Sequence, residues 1–253
     1  AEDEIIGWIY QFYNAEEKVS IRKKGKPKHP AEVAVINQFF TPRWIVKFLV
    51  DNTLGRLWLE MHPDSPRVRE RCDYLVPEPL AGTEKSQTDG QIQLDPESPI
   101  NHAYAEPRRA AKRPQEIRLI DPACGTMHFG HYAFEVFQSI YADAREQGWM
   151  GSSDALSDDQ VPAAILENNL FGVDIDLRAV QLAALSLFMK AKSANPDAHV
   201  GQVNLIVADA HLPRGKVRQD FLAQYAREPV IQQAFQEVFE SLDNVAEVGS
   251  LLR

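Results

Sequence analysis

The sequence predicts an α/β fold with a parallel sheet, because three short apolar runs alternate with stretches of helical periodicity. The runs lie at 117–120, 169–173 and 203–207, and an acidic residue follows each of them. Strands that alternate with helical patterns are typical of parallel sheets whose crossover connections are helices. We therefore expect three strands of such a sheet with helices between them.

The first strand–turn–helix unit begins I-R-L-I-D-P-A-C-G-T-M-H-F-G at Ile117. Its apolar residues predict a buried strand that ends at Asp121, and Gly125 permits a tight turn. A helix is expected from about His128, since apolar residues recur at the spacing of one helical face: Phe129, Tyr132, Ala133, Val136, Phe137, Ile140, Tyr141 and Ala144. Such a turn can direct backbone N–H groups at a ligand, and an ordinary βα turn without a ligand fits the pattern equally well.

The second and third strands also lead to acidic residues. The run Asn169–Asp174 ends in Asp174, at the position where acids of nucleotide-binding sheets accept hydrogen bonds from ribose. Asp176 is expected to cap a helix from Leu177 to about Lys192, which is apolar nearly all round and therefore predicted to be well buried. The strand Val203–Val207 leads to Asp209, and the last part of the chain reads as a packing helix.

Composition describes a globular chain. Its 253 residues are 44% hydrophobic and 25% charged, with no apolar run long enough to cross a bilayer. We therefore expect no membrane partner. Cys72 and Cys124 lie far apart without neighbouring His or Cys at ligand spacing, so we expect a reducing cytoplasm and no metal site. The net charge of -9 argues against a general nucleic-acid binder, although a local basic surface would suffice for DNA.

Two helices are predicted in the first 60 residues. The first is expected to end at Asn14 and to dock its apolar stripe on the main domain: Ile5, Ile6, Trp8, Ile9, Phe12 and Tyr13. The second should start with Thr41 as N-cap and Pro42 as its first residue. Its buried side should consist of Trp44, Ile45, Phe48 and Leu49.

A basic stretch, R-K-K-G-K-P-K-H, lies between these two helices. A solvated loop explains most such charge runs, and contact with DNA phosphates is the functional alternative. The candidate DNA-binding residues are Arg22, Lys23, Lys24, Lys26 and Lys28. The polar segment 61–116 has little periodicity and is too long for an ordinary connection, so it is an insertion, a partner-binding loop or a partly disordered excursion. The predicted divisions are thus 1–60, 61–116 and 117–253.

Four motifs resemble those of S-adenosylmethionine-dependent DNA adenine methyltransferases. D-P-A-C-G-T resembles motif I, and F-F-T-P resembles motif X, which precedes motif I as in the gamma class; F-G-V-D-I-D and A-D-A resemble motifs II and III. Met127 stands where motif I usually has its second glycine. The resemblance implies S-adenosylmethionine as cofactor, with its methionine part at motifs X and I, its ribose at Asp174, and its adenine at Ile175 and Asp209. The implied contacts are Phe40, Thr41, Pro42, Asp121, Ala123, Cys124, Gly125, Thr126, Phe129, Asp174, Ile175, Asp209 and Ala210.

The sequence of the chain as a whole resembles those of the large methylases of bacterial phage-defence systems of the BREX and DISARM types, which are related to type IIG restriction–modification enzymes. I-I-G-W-I-Y-Q-F-Y-N and Q-F-F-T-P-R-W-I-V-K-F-L-V carry this resemblance, and D-P-A-C-G-T-M-H-F favours the DISARM type. It implies N6-methylation of adenine in host double-stranded DNA, with other subunits of the defence system as partners. A non-catalytic binding module and a methyltransferase acting on RNA, protein or a small molecule are the alternatives.

The catalytic tetrapeptide of such enzymes, Asn/Asp-Pro-Pro-Tyr, does not occur in this sequence. The resemblance therefore implies a Rossmann-like methyltransferase fold that is incomplete in this chain and carries N-terminal helices. Three of about seven strands are expected, with the first strand at an unpaired edge. We expect the chain to be the cofactor-binding part of a larger protein and to be inactive alone.

Overall fold

The computed structural model describes residues 5–25, 32, 35–36, 40–76, 109–150, 156–208 and 215–243. Its helices are α1 (Ile5–Tyr13), α2 (Ala15–Lys24), α3 (Arg43–Val50), α4 (Arg56–Met61), α5 (Pro66–Arg71), α6 (His128–Glu146), α7 (Val161–Ala164), α8 (Leu177–Ala194), α9 (Gly215–Ala223) and α10 (Pro229–Asp243). Its strands are β1 (Leu119–Asp121), β2 (Leu170–Asp174) and β3 (Asn204–Val207). π-Helical turns occur at Asp51–Gly55 and Ile165–Asn169, and a 3₁₀ turn at Pro114–Glu116.

The three strands form a parallel sheet in the order β1-β2-β3. Leu119 pairs with Leu170, and Gly172 pairs with Leu205. This confirms the predicted α/β class and parallel sheet. Within the described residues β1 lies at an edge of the sheet, as the sequence predicted.

Helices α6 and α8 contact each other and both contact β2, so they cover the same face of the sheet. On the opposite face Ile120 and Ile206 are 63% and 64% exposed. The prediction that Ile120 lies in a buried strand is therefore wrong. Parallel strands are buried on both faces only where helices cover both, and the described elements cover one.

The core lies around α6, whose predicted start at His128 and predicted apolar face are confirmed. Helices α3 and α5 contact α6, and α4 contributes Trp58, Leu59 and Met61 to the same core. The largest fully buried side chains of this core include Trp58, Phe134, Phe137 and Tyr141. Segment 61–116, predicted without regular structure, contributes α5 to this packing; its residues 77–108 lie outside the described part.

Two buried polar side chains tie loops to this core. The carboxylate of Asp143 in α6 is fully buried and accepts hydrogen bonds from Ser65 Oγ (2.5 Å) and from the backbone N–H groups of Arg67 and Val68 (3.0 and 3.2 Å). These donors belong to the start of α5, so the carboxylate fixes that helix end on α6. Asn169 is also fully buried; it donates to the carbonyls before β1 (2.7 and 2.8 Å) and accepts from Tyr141 Oη (2.9 Å).

Three predicted helix faces are wrong. The apolar stripe of α1 is exposed in the structure: Ile5 50%, Trp8 43%, Ile9 63%, Phe12 71% and Tyr13 76%. In α3 the buried residues are Val46 and Val50, whereas Trp44, Phe48 and Leu49 are exposed. Helix α8 is only half buried, with Leu185 and Met189 at the surface. Each of these helices has more apolar residues than one face can hold, so periodicity alone could not select the buried side.

The start of α3 also differs from the prediction. Pro42 is the N-cap rather than the first helical residue, and its carbonyl accepts hydrogen bonds from the N–H groups of Ile45 and Val46 (3.0 and 3.2 Å). Thr41 therefore lies one residue outside the cap. Pro42 has an extended backbone conformation, with a φ of -55° and a ψ of 141°, so the helix begins at Arg43.

Helices α9 and α10 pack through aromatic side chains. Phe221 of α9 meets Phe235 and Phe239 of α10 edge to face, with ring centroids 5.1 and 5.6 Å apart. The packing role predicted for the last helix is thus confirmed for Phe239, which is buried, while Val238 is 49% exposed. Helix α9 was not predicted. In the part of the chain that the structure describes, no helix combines the length and apolarity needed to cross a membrane.

Candidate functional site

The turn between β1 and α6 is anchored to the end of β2. The backbone N–H of Cys124 donates to the carbonyl of Val173 (2.9 Å), and the N–H of Ala123 donates to Asp121 Oδ1 (3.1 Å). Gly125 has a φ of +51°, and a Cβ built there would meet no atom within 4 Å. The turn is therefore fixed below by the sheet and open above Gly125.

Asp174 joins this turn to the next one. Its Oδ2 accepts the backbone N–H of Gly125 (2.7 Å), and its Oδ1 accepts the N–H of Asp176 (2.9 Å). The two predicted ligand loops, whose residues Gly125 and Asp174 are 49 positions apart in the sequence, thus meet at one partly buried carboxylate. Burial raises the pKa of Asp121; the Ala123 hydrogen bond opposes that rise and the negative charge of Asp174 adds to it.

Met127 explains how the turn tolerates the absence of a second glycine. Its φ of 66° is the one positive φ of a non-glycine residue among the described residues, and its side chain is fully buried. A Cβ on Gly130 would come within 2.5 Å of Met127 Cγ, so the glycine of α6 makes room for the methionine. The left-handed conformation costs about 1–2 kcal/mol, and burial of the side chain offsets it.

Aromatic rings flank the turn on the side of the predicted motif X. The ring of Phe40 stacks on His128 at the start of α6, with centroids 4.4 Å apart, and Trp8 of α1 lies 4.5 Å from Phe40. The N–H of Phe40 donates to Gln11 Oε1 (3.0 Å). Trp8, Gln11 and His128 were not among the predicted site residues, because the apolar stripe of α1 predicted only packing against the main domain. Gly7 was the available signal, because a glycine among the large residues of a helix indicates close approach of another segment.

The structure places the other predicted residues as follows. Cys124 is 5% exposed, with its sulfur against Gly172, and Phe129 packs on the core. Ile175 is 51% exposed beside Asp174. Thr41 and Thr126 are half-buried, and Pro42 and Ala123 are exposed. Asp209 and Ala210 lie outside the described residues, and β3 leads toward them.

Of the candidate DNA-binding residues, Arg22, Lys23 and Lys24 are exposed in the last turn of α2. Cations at that end complement the helix dipole, so their position has a structural explanation as well. Lys26 and Lys28 lie outside the described residues. The described residues also contain no group of three or more His, Cys, Asp or Glu side chains that could hold a metal ion.

Two surface cavities of about 580 and 570 Å³ lie elsewhere. The first is lined by residues of α7 and the loop before β3, including Gln115, Asp159 and His199. The second is lined by Lys47 and Arg71 among others, both of which form ion pairs, with Asp73 (2.8 Å) and Glu135 (3.3 Å) respectively. Neither contains any of the predicted cofactor contacts.

Comparison with known proteins identifies the relatives of this chain. The adenine-specific methyltransferase BrxX of Escherichia coli O9:H4 (strain HS) is 37% identical over 189 residues, which are 75% of this chain and 13% of that protein. The adenine-specific methyltransferase PglX of Lacticaseibacillus casei (strain Zhang) is 35% identical over 192 residues, 76% of this chain and 14% of that protein. The chain is related to adenine-specific methyltransferases of the BREX type.

These relatives confirm the predicted resemblance and support its BREX alternative; the preference for the DISARM type gains no support from them. The chain spans about one seventh of the length of the curated relatives it matches. No family model matches the chain.

Proposed function

We propose that this chain is the cofactor-binding part of an S-adenosylmethionine-dependent DNA adenine N6-methyltransferase that marks host DNA in phage defence. In this proposal residues 117–253 are the first half of a Rossmann-like methyltransferase domain, 1–60 carry motif X, and 61–116 are an insertion. The catalytic tetrapeptide belongs to another part of the protein. Double-stranded DNA in the cytoplasm is the substrate, and further defence subunits are the partners.

The observation that carries this proposal is the hydrogen bond from the Gly125 N–H to Asp174 Oδ2 (2.7 Å). It joins the loop that resembles motif I, which follows β1, to the acid of motif II at the end of β2. Both therefore lie at the carboxyl ends of two adjacent parallel strands. Ligands of open α/β sheets bind at this edge. The adenine-specific relatives supply the second, independent support.

The residues present fit S-adenosylmethionine. The space above Gly125 is open, whereas a Cβ at Gly172, on the packed side of the turn, would lie 2.7 Å from Leu205 Cδ2. A carboxylate has about four acceptor positions, and backbone N–H groups use two of those of Asp174. The remaining two can accept the ribose hydroxyls, and the exposed side chain of Ile175 can lie against the adenine.

Each element then has a defined task. The bound cofactor supplies the activated methyl group. Asp174 orients the ribose, the Ala123–Thr126 turn and Phe40–Pro42 enclose the methionine part, and Asp209 is the proposed contact of the adenine amine. Rigid placement of the two reactants accounts for much of the acceleration in transfers of this kind.

The proposal is tested by titrating S-adenosylmethionine into the full-length protein calorimetrically. The parent is expected to bind, and Asp174→Asn to bind at least about tenfold more weakly, because the amide loses the charge and one acceptor atom. Asp220→Asn is the matched control, since Asp220 is exposed on α9. A folded parent that binds no cofactor, with or without duplex DNA, would contradict the proposal.

The substrate is tested in the same preparation. Transfer of labelled methyl to duplex DNA, with N6-methyladenine found by sequencing, is the expected result. Labelling of RNA or protein instead would replace the DNA substrate but keep the cofactor. Cofactor binding without transfer to any of these substrates would favour the non-catalytic module.

A further inference from the structure

Helix α1 contacts three of the proposed cofactor-binding segments through one side. Gly7 and Gln11 lie against the motif X segment, and Tyr10 reaches the turn after β2. The opposite side of the helix is solvent-exposed, with Ile9 63% exposed. The inward side of α1 therefore contacts the segments of the proposed cofactor site rather than the core around α6.

Gly7 sets how closely α1 approaches. A Cβ at this position would lie 2.6 Å from Phe40 Cε2 and 3.2 Å from Thr126 Oγ1. Both neighbours are proposed contacts of the methionine part. Any side chain at position 7 must therefore displace the Phe40 ring, which stacks on His128. The backbone of the same residue is fixed separately, because the Phe40 N–H donates to Gln11 Oε1.

Tyr10 is linked to Asp174 by consecutive hydrogen bonds. Its hydroxyl donates to Asp176 Oδ2, and the N–H of Asp176 donates to Asp174 Oδ1 (2.9 Å). The other oxygen of Asp176 accepts the N–H of Arg178 (2.9 Å), which caps α8. Burial would raise the pKa of Asp176, but its hydrogen bonds from Tyr10 and Arg178 lower it overall, so the carboxylate is held ionised.

We propose that α1 is a wall of the cofactor site in which Gly7 and Tyr10 are positioning residues. Gly7 places the Phe40 ring at the methionine end, and the Tyr10 hydroxyl holds the Asp176 turn that orients Asp174 at the ribose end. This inference rests on the proposed function, which assigns the cofactor to these loops.

The test compares S-adenosylmethionine with adenosine, which lacks the methionine part, in the full-length protein. Tyr10→Phe removes only the hydroxyl and is expected to weaken binding of both ligands about fivefold to tenfold. Gly7→Ala is expected to weaken binding of S-adenosylmethionine by about tenfold and binding of adenosine by less than about twofold, because the displaced Phe40 ring lies at the methionine end. Ile9→Ala, on the exposed side of the same helix, should change neither.

Thermal unfolding of each variant separates positioning from general loosening of α1. A structural role alone would weaken both ligands in parallel in both variants, in proportion to the loss of stability. Parallel loss of that kind, or affinities within twofold of the parent in both variants, would overturn the inference and leave the proposed function intact. Failure of the parent to bind S-adenosylmethionine would overturn the proposed function and this inference with it.

Discussion

Replacing Asp143 by alanine is expected to destabilise the protein strongly. Its carboxylate is fully buried in α6 and accepts hydrogen bonds from the Ser65 hydroxyl and two backbone N–H groups at the start of α5. The alanine variant leaves these donors without their acceptor, and the side chain of Ser65, which also accepts from Trp58 Nε1 (2.8 Å), lies in the same buried network.

The magnitude follows from these contacts. Hydrogen bonds to a charged group contribute about 1.5–3 kcal/mol each and are not additive, and removal of the carboxylate also removes its desolvation penalty. We expect a net loss of about 3–4 kcal/mol in the free energy of unfolding. For a chain of this size that corresponds to a fall in Tm of roughly 6–16 °C.

The assay is thermal and urea unfolding of the parent, Asp143→Ala and Glu146→Gln. Glu146 pairs with Arg67, the same residue whose N–H binds Asp143, but both side chains of this pair are about half exposed. Solvent screens such a pair, so its loss should leave Tm unchanged within error. A Tm of Asp143→Ala within 1 °C of the parent, or equal shifts in the two variants, would refute the assigned role of the buried carboxylate.

Three further predictions concern buried groups. Asn169→Ala should lower the free energy of unfolding by about 2–4 kcal/mol, measured by urea unfolding, because two backbone carbonyls and one hydroxyl lose their partner. Cys72 and Cys124 should resist alkylation at pH 8 in the folded protein and react only after unfolding, as read by peptide mass spectrometry, because burial raises the pKa of both thiols; rapid labelling of the native protein would argue against their placement. Burial, with the hydrogen bond to Asp176 adding, raises the pKa of Tyr10 from 10.0 to about 12. The folded state thus binds this proton more tightly, so the stability it contributes is complete below pH 10 and is lost between pH 10 and 12; Tyr10→Phe should lack that component, and equal pH profiles of the two proteins would contradict it.

Features determined by neighbouring residues were predictable from the sequence. The start of α6 at His128 and the Asp176 cap of α8 follow from turn and capping chemistry within a few residues, and both are present in the structure. The three strands and their order relative to the helices followed from the alternation of patterns. The faces of α1, α3 and α8 did not, because their apolar residues exceed one face and long-range packing selects among them.

The candidate site was predictable as loops but not as an assembly. The sequence motifs predicted Gly125 and Asp174 as site residues, and in the structure a hydrogen bond links the Gly125 N–H to the Asp174 carboxylate. The contact between Tyr10 and Asp176 spans 166 residues of sequence and leaves no local pattern. For Ile120 the sequence predicted a contact that the structure lacks. Its apolar side chain predicted burial, but the described helices do not cover the sheet face on which it lies.

The most direct test of the account is amide hydrogen exchange of the full-length protein with and without S-adenosylmethionine. The cofactor is expected to slow exchange in the peptides that contain 121–126 and 174–176, while the α9–α10 hairpin is unchanged. Protection of these two segments would place the cofactor at the turns that the Gly125–Asp174 hydrogen bond joins. Cofactor binding with protection elsewhere and none in these two turns would contradict the account.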